Sequence, residues 1–167
     1  QVNVDGTNLV QLTRTSSSVN CPSYSPDGQK ILLLFGALYH FAVYTMNLDG
    51  SDMAYLIDAT GFPWWCPQFS PDGRRIAFPL AGQIYIIDTS GSNLRQLTTG
   101  DGPNFAPNWS HDGSALTYAS DRPGSVSDIY RINLDGSGET RLTYGVESDS
   151  GATWQPDENP IAPEPPQ

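Results

Sequence analysis

The feature that most constrains the fold of this 167-residue chain is an internal repeat with a period of 40 to 45 residues. A Ser-Pro-Asp-Gly motif begins at Ser25 and Ser70, returns as Ser-His-Asp-Gly at Ser110, and has a degenerate copy at Gln155. A second turn motif keeps the same rhythm, and each of its glycines precedes a leucine by six residues: Gly6, Gly50, Gly91 and Gly136. Such a period is typical of a stack of similar supersecondary units.

Each repeat contains four strand-like segments bounded by turn residues. The Asp-Gly turns suit tight hairpins, because glycine adopts positive φ and aspartate bonds its own backbone. The second segment of the first repeat, residues 31–35, is apolar without alternation, which is typical of a strand covered on both faces. Four antiparallel strands at this period predict the all-β fold of a β-propeller, with inner strands at 21–25, 66–70 and 106–110.

The repeat also predicts how the chain is divided. Propeller blades are expected over residues 1–157, followed by a proline-rich tail or linker at 158–167. The expected parts are a partial blade at 1–13, full blades at about 19–57, 64–98 and 105–143, and one more inner strand at 151–156. Two arrangements remain open. The partial blades could close a four-bladed ring, or the chain could be a fragment of a larger propeller, which the start in mid-strand favours.

Composition excludes several classes of partner. The formal net charge is −10, with eight lysines and arginines against 18 aspartates and glutamates. A nucleic-acid-binding protein needs a basic surface to neutralise phosphates, so no nucleic-acid partner is expected. An acidic membrane surface would repel this chain, and no apolar run approaches the length of a membrane-spanning helix. We therefore expect no membrane insertion.

The third repeat carries the motifs of a known family. It reads Tyr-Ala-Ser-Asp-Arg-Pro-Gly at 118–124, Asp-Ile-Tyr at 128–130, Leu-Asp-Gly-Ser-Gly at 134–138 and Arg-Leu-Thr at 141–143. These motifs resemble the TolB-like β-propeller repeat. The first repeat is looser, since Ala-Leu-Tyr-His-Phe at 37–41 replaces the usual Ser-Asp-Arg-x-Gly hairpin.

The resemblance implies an extracytoplasmic protein, either periplasmic or secreted. Related repeats occur in TolB, in propeller domains of prolyl peptidases and in many extracytoplasmic bacterial proteins. The function we expect is non-catalytic binding of a protein or glycan, in a chain that belongs to a larger chain or assembly. Two alternatives stay open: an accessory propeller of a larger enzyme such as a prolyl-peptidase-like hydrolase, and a polysaccharide-active enzyme.

Candidate partner-binding residues lie in the loops that depart from the repeat. The hairpins between second and third strands, and the connections between blades, should emerge on one face, opposite the Asp-Gly turns. Loops of this kind carry function, and large aromatic side chains with few charges are typical of contact surfaces. The predicted partner-binding residues are Tyr39, His40, Trp64, Trp65, Asp101 and Phe105. The alternative is that the tryptophans fill space between blades.

Two cysteines occupy equivalent positions of the first two repeats. Cys21 and Cys66 each precede the turn serine by four residues, so they should lie on neighbouring inner strands. A disulfide needs Cα atoms within about 7 Å of each other. We expect the inner strands to be slightly too far apart for this, and therefore two free thiols, with a disulfide as the alternative.

The sequence contains no catalytic motif. The two histidines, His40 and His111, belong to opposite faces, and no nucleophile elbow or zinc-binding histidine pair is present. The turn aspartates lack the regular spacing of a calcium loop. We therefore expect no catalytic residue, cofactor or metal site.

Overall fold

The computed structural model describes residues 1–38, 40–59, 65–122, 126–144 and 147–154. Over these residues it contains twelve strands: β1 (Ser18–Tyr24), β2 (Lys30–Ala37), β3 (His40–Asn47), β4 (Ala54–Asp58), β5 (Gln68–Phe69), β6 (Arg75–Leu80), β7 (Gln83–Asp88), β8 (Arg95–Gln96), β9 (Asn104–Trp109), β10 (Ala115–Ser120), β11 (Asp128–Asn133) and β12 (Thr140–Arg141). The same residues include no helix long and apolar enough to cross a membrane.

The strands form three antiparallel sheets of four strands, each in the order of the chain. The sheets are β1–β4, β5–β8 and β9–β12, and each corresponds to one sequence repeat. We call them the first, second and third blade, and their strands a to d from the inside outward. The predicted all-β architecture of four-stranded antiparallel blades is confirmed.

The inner strands differ from the predicted bounds, and those of the first and third blades contain a bulge. In the first blade the register shifts between Asn20 and Ser23, and Cys21 has a φ of 55°. In the third blade Ala106, at the equivalent position, has a φ of 52°. Strands β1 and β9 therefore begin before the bulge, whereas β5 contains only two residues.

The turn between strands a and b is built around a buried serine. Ser70 Oγ donates to Asp72 Oδ1 at 2.6 Å and accepts a hydrogen bond from the backbone N–H of Arg75 at 2.9 Å. Ser25 and Ser110 make the same pair of bonds in their own blades. The exposed fractions of the three serines are 8%, 0% and 5% in chain order. The serine is thus a buried part of the turn, and the aspartate fixes its hydroxyl.

Hydrophobic clusters join each blade to the next. Leu32 and Leu34 of β2 pack with Ile76 and Phe78 of the second blade, and Ala77 and its neighbours pack against the third blade. The other face of β2 is covered as well, since Leu33 packs in a cluster that includes Leu12. Both faces of β2 are buried, which explains its apolar run without alternation.

The two ends of the described chain repeat the geometry of a blade. Asn3, Asp5 and Thr7 form the same turn as the c–d hairpin of the first blade, with Gly6 N–H donating to the carbonyl of Asn3 at 2.9 Å. At the other end, Trp154 Nε1 donates to the carbonyl of Asn108 at 3.1 Å. Neither segment forms a strand, but Leu12 packs against the first blade and Trp154 is bonded to the third.

The expectation of free thiols is wrong, because Cys21 and Cys66 form a disulfide. Their Cα atoms are 5.3 Å apart, which lies within the range for such a bond. The inner strands of neighbouring blades converge toward the centre, so equivalent positions approach more closely than the sequence suggested. The disulfide joins the innermost strands of the first two blades.

Candidate functional site

The blades present two chemically different faces. Because the strands are antiparallel, the a–b and c–d turns emerge at one end, which we call the turn face. The b–c hairpins and the d–a connections emerge at the other end, which we call the loop face. Of the predicted site residues, His40, Trp65, Asp101 and Phe105 lie at the loop face, whereas Tyr39 and Trp64 lie outside the described residues.

On the turn face the carboxylates are engaged in their own turns. In five turns a serine hydroxyl donates to the aspartate carboxylate and lowers the pKa of that carboxyl group below its usual value. The five aspartates are Asp27, Asp49, Asp72, Asp112 and Asp135. The largest effect is at Asp112, where Ser110 and Ser114 lower the pKa to about 2. These aspartates hold the turns together, as the sequence indicated.

Trp65 and Phe105 form an aromatic pair across two blades. They occupy equivalent positions of successive repeats, and their rings stack with centroids 4.3 Å apart at an interplanar angle of 25°. Phe105 is buried, with 8% of its surface exposed, in a cluster with Ala119 and Ile129, whereas Trp65 is half-buried at its edge. The exposed part of this pair therefore belongs to Trp65, and Phe105 stacks against one face of its ring.

His40 is the first residue of β3, next to the b–c hairpin of the first blade. It pairs with Ala37 across the end of β2 and β3, and its side chain is exposed. Leu38, at the tip, has a φ of 57° and 84% of its surface exposed. A leucine is strained in this left-handed conformation, and strained positions cluster at functional sites. Sequence reasoning selected its neighbours but missed Leu38.

Asp101 is exposed in the connection between the second and third blades. The connection is held at Gly102, where any side chain would collide with the carbonyl of Asp121. It is held again by the backbone N–H of Asp121, which donates to the carbonyl of Pro103 at 2.9 Å. Asp101 therefore stands on a fixed loop and adds negative charge to this face.

A buried polar network anchors the same connection. Thr98 Oγ1 donates to Gln83 Oε1 and accepts from the N–H of Ile84, both at 2.9 Å. Asn104 Nδ2 also donates to Gln83 Oε1, at 2.8 Å. Thr143 accepts from Ile129 N–H in the third blade, as Thr98 does in the second. The recurring Leu-Thr pair is the sequence signal for this network. The pair alone does not show that its threonine accepts a hydrogen bond from the neighbouring strand.

Two arginines of the third blade are neutralised by acidic neighbours. Arg141 lies 2.6 Å from the fully buried carboxylate of Asp128, and Arg122 lies 2.8 Å from Glu139. Asp58 and Asp101 are exposed on the loop face. Glu147 is exposed there too, and Arg14 is an exposed cation on the same face. Exposed acidic side chains therefore outnumber exposed basic ones, and Leu38, Tyr144 and part of Trp65 are the apolar elements.

Antiparallel four-stranded blades packed face to face define a β-propeller. A family model described as the TolB beta propeller domain matches residues 1–163. The chain belongs to this family.

Two relatives are similar to this chain over most of its length. The chain is 33% identical over 153 residues to an uncharacterized protein of Agrobacterium fabrum, a match that covers 86% of this chain and 50% of that protein. It is 33% identical over 136 residues to the Tol-Pal system protein TolB of Bordetella pertussis, covering 79% and 31% respectively. The chain thus spans half or less of the length of these relatives.

Solved structures confirm the fold. The crystal structure of TolB from Acinetobacter baumannii superposes with a TM-score of 0.77 at 25% identity, covering 91% of this chain and 39% of that one. A chain from a structural analysis of two prolyl endopeptidases gives a TM-score of 0.59 at 19% identity, covering 83% of this chain and 23% of that one. The likeness to the peptidases is one of fold alone.

Proposed function

We propose that these blades are a non-catalytic, protein-binding part of a TolB-type propeller and that the loop face holds the partner. The observation that carries the proposal is the contrast between the two faces. The turn face repeats one hydrogen-bonded pattern, whereas the loop face departs from the repeat and exposes Leu38, His40 and part of Trp65.

The names of the relatives support a protein partner rather than a glycan. The Bordetella protein is named for a Tol-Pal system, so we propose a protein component of such a system as the partner class. The acidic loop face favours a partner with basic residues around an apolar pocket that receives Leu38. Charge complementarity of this kind accelerates encounter and selects the orientation.

We further propose an extracytoplasmic location. The Cys21–Cys66 disulfide supports it, because such bonds persist in oxidising compartments and are rare where glutathione keeps thiols reduced. The alternative of an accessory propeller in a larger hydrolase has the peptidase likeness in its favour. That likeness is one of fold, and a fold alone does not identify a functional site in this chain.

The proposal is tested by replacing Leu38 with asparagine and measuring affinity for the soluble Pal component of a Tol-Pal system by calorimetry. Asparagine tolerates the left-handed backbone, so Leu38→Asn removes the apolar side chain without adding strain. We expect affinity to fall by about tenfold, which corresponds to about 1.4 kcal/mol, with no drop in melting temperature.

The matched control is Leu94→Asn. Leu94 is an exposed leucine, 46% accessible, that follows the c–d turn of the second blade at the turn face. This variant should bind the partner as the wild type does. Unchanged affinity in Leu38→Asn, or an equal loss in Leu94→Asn, would contradict the proposed surface.

A further inference from the structure

At the inner edge of the propeller, two of the seams between neighbouring blades are joined by an indole. Trp109 Nε1 of the third blade donates to the carbonyl of Gln68 in the second blade at 3.1 Å. Trp154 Nε1 makes the equivalent bond to the carbonyl of Asn108, also at 3.1 Å. Both tryptophans stand one residue before the a–b turn position of their repeat. The same repeat position therefore links one blade to the blade before it.

The seam between the first and second blades cannot contain this bond. The equivalent residue is Phe69, which packs in the cluster between these blades but has no side-chain N–H. The residue equivalent to the acceptors Gln68 and Asn108 is Ser23. Its buried hydroxyl has no hydrogen-bond partner among the described residues. The place that an indole occupies in the other two seams is thus filled by a side chain that cannot donate.

The same seam contains the Cys21–Cys66 disulfide. The two cysteines are 45 positions apart, which is one repeat. Cys21 lies on the bulge of β1, and Cys66 lies two residues before β5. The third blade has Ala106 at this position. A covalent link therefore occurs at the seam that has phenylalanine in place of tryptophan.

We propose that the disulfide replaces the indole bond as the link across this seam, and that it makes this seam responsive to reduction. The seams that contain the indole bonds have no cysteine, because the chain has two cysteines and both are in this disulfide. Reductant should therefore loosen the first blade against the second and leave the third blade unchanged.

The reduction itself is simple chemistry. A dithiol such as dithiothreitol transfers two electrons and two protons, the Sγ–Sγ bond breaks, two cysteine thiols form, and the reductant becomes its cyclic disulfide. The hydrophobic cluster between the blades, including Leu32, Val43 and Ile76, stays in place. We therefore expect local opening of the seam rather than global unfolding.

The test is amide hydrogen exchange of β2 and β3 in the first blade, compared with β10 and β11 in the third. With dithiothreitol, or in the variant Cys21→Ala/Cys66→Ala, exchange of β2 and β3 should accelerate by about tenfold or more, with β10 and β11 unchanged. Alanine is a suitable replacement at Cys21, because Ala106 of the third blade has the same left-handed backbone, with a φ of 52° against 55° for Cys21.

The rescue variant adds Phe69→Trp to the cysteine-free protein. An indole at this position can donate to the carbonyl of Ser23, so exchange of β2 and β3 should slow again toward the oxidised wild type. The matched control is Tyr24→Trp, at the equivalent position of the first blade, which lies on the other side of that blade and should restore nothing.

The proposal would be overturned by equal acceleration in the first and third blades, or by no acceleration at all. It would also be overturned if Phe69→Trp restored no more protection than Tyr24→Trp. None of these measurements depends on a binding partner, so their result is independent of the proposed function.

Discussion

The indole of Trp154 is bonded to the carbonyl of Asn108 in the same way as the indole of Trp109 is bonded to Gln68, both at 3.1 Å. The two tryptophans are one repeat apart, and so are the two acceptors. A segment with no partner strand among the described residues therefore occupies the position of an inner strand. The hydrogen bond between one blade and the next therefore depends on a single position of the repeat.

Removal of one indole donor should weaken one seam. In Trp109→Phe the ring volume is largely kept, but the hydrogen bond to Gln68 is lost, at a cost of about 1 kcal/mol in the free energy of unfolding. Urea denaturation measures the change. Trp154→Phe should remove the equivalent bond to Asn108. Its effect should be limited to faster hydrogen exchange of the terminal segment, without a change in global stability. A global loss equal to that of Trp109→Phe would argue against this distinction.

Loss of a turn serine hydroxyl should destabilise far more than its size suggests. Ser70→Ala leaves the N–H of Arg75 without its side-chain acceptor in a fully buried position, so we expect a loss of about 2 kcal/mol. Ser51→Ala, in an exposed c–d turn, removes a similar bond to Asp49 and should cost well under 1 kcal/mol. Thermal unfolding compares the two, and equal losses would refute the buried role of Ser70.

The turn aspartates should make the fold sensitive to acid. The pKa of Asp112 is lowered to about 2 from its ordinary value of 3.8, because Ser110 and Ser114 donate to the carboxylate. A lowered pKa contributes stability that is complete above the ordinary value and is lost as pH falls toward the folded value. Stability should therefore decline between about pH 4 and pH 2, and Asp112→Asn should flatten that decline. Parallel curves for the two proteins would count against this origin.

The buried threonine of the Leu-Thr pair should be needed for its hydroxyl. Thr98→Val keeps the shape but leaves Ile84 N–H and Gln83 Oε1 without Thr98 as a partner. We expect a loss of about 2 kcal/mol in the free energy of unfolding. The adjacent Thr99 is exposed, so Thr99→Val serves as the control and should change stability little. A neutral Thr98→Val would show that the network adds nothing.

The sequence predicted the strands and turns because their chemistry is local. The Asp-Gly turns and the run from Ile31 to Leu34 specify hairpins and a doubly covered strand without reference to distant residues. The features that the sequence did not predict depend on distances between repeats. The disulfide depends on how closely two inner strands converge, and the burial of Phe105 depends on its stacking partner Trp65 in the blade before it.

The sequence predicted which loops share a face, but it did not predict which side chains are exposed there. Strand alternation places His40 and Asp101 on one face whatever their side chains do. The exposed Leu38 was missed because a leucine in a hairpin tip carries no signal in the sequence; its left-handed backbone becomes visible only in the structure. The binding role of the predicted residues remains a prediction.

The most direct test of protein binding through the loop face is a hydrogen-exchange footprint of the protein with and without the soluble Pal component. The account predicts slower exchange in the hairpin at residues 37–40 and the connection at residues 98–104, with no change in the turns at 25–30 and 47–52. Protection of those turns, with the hairpin and the connection unchanged, would contradict it.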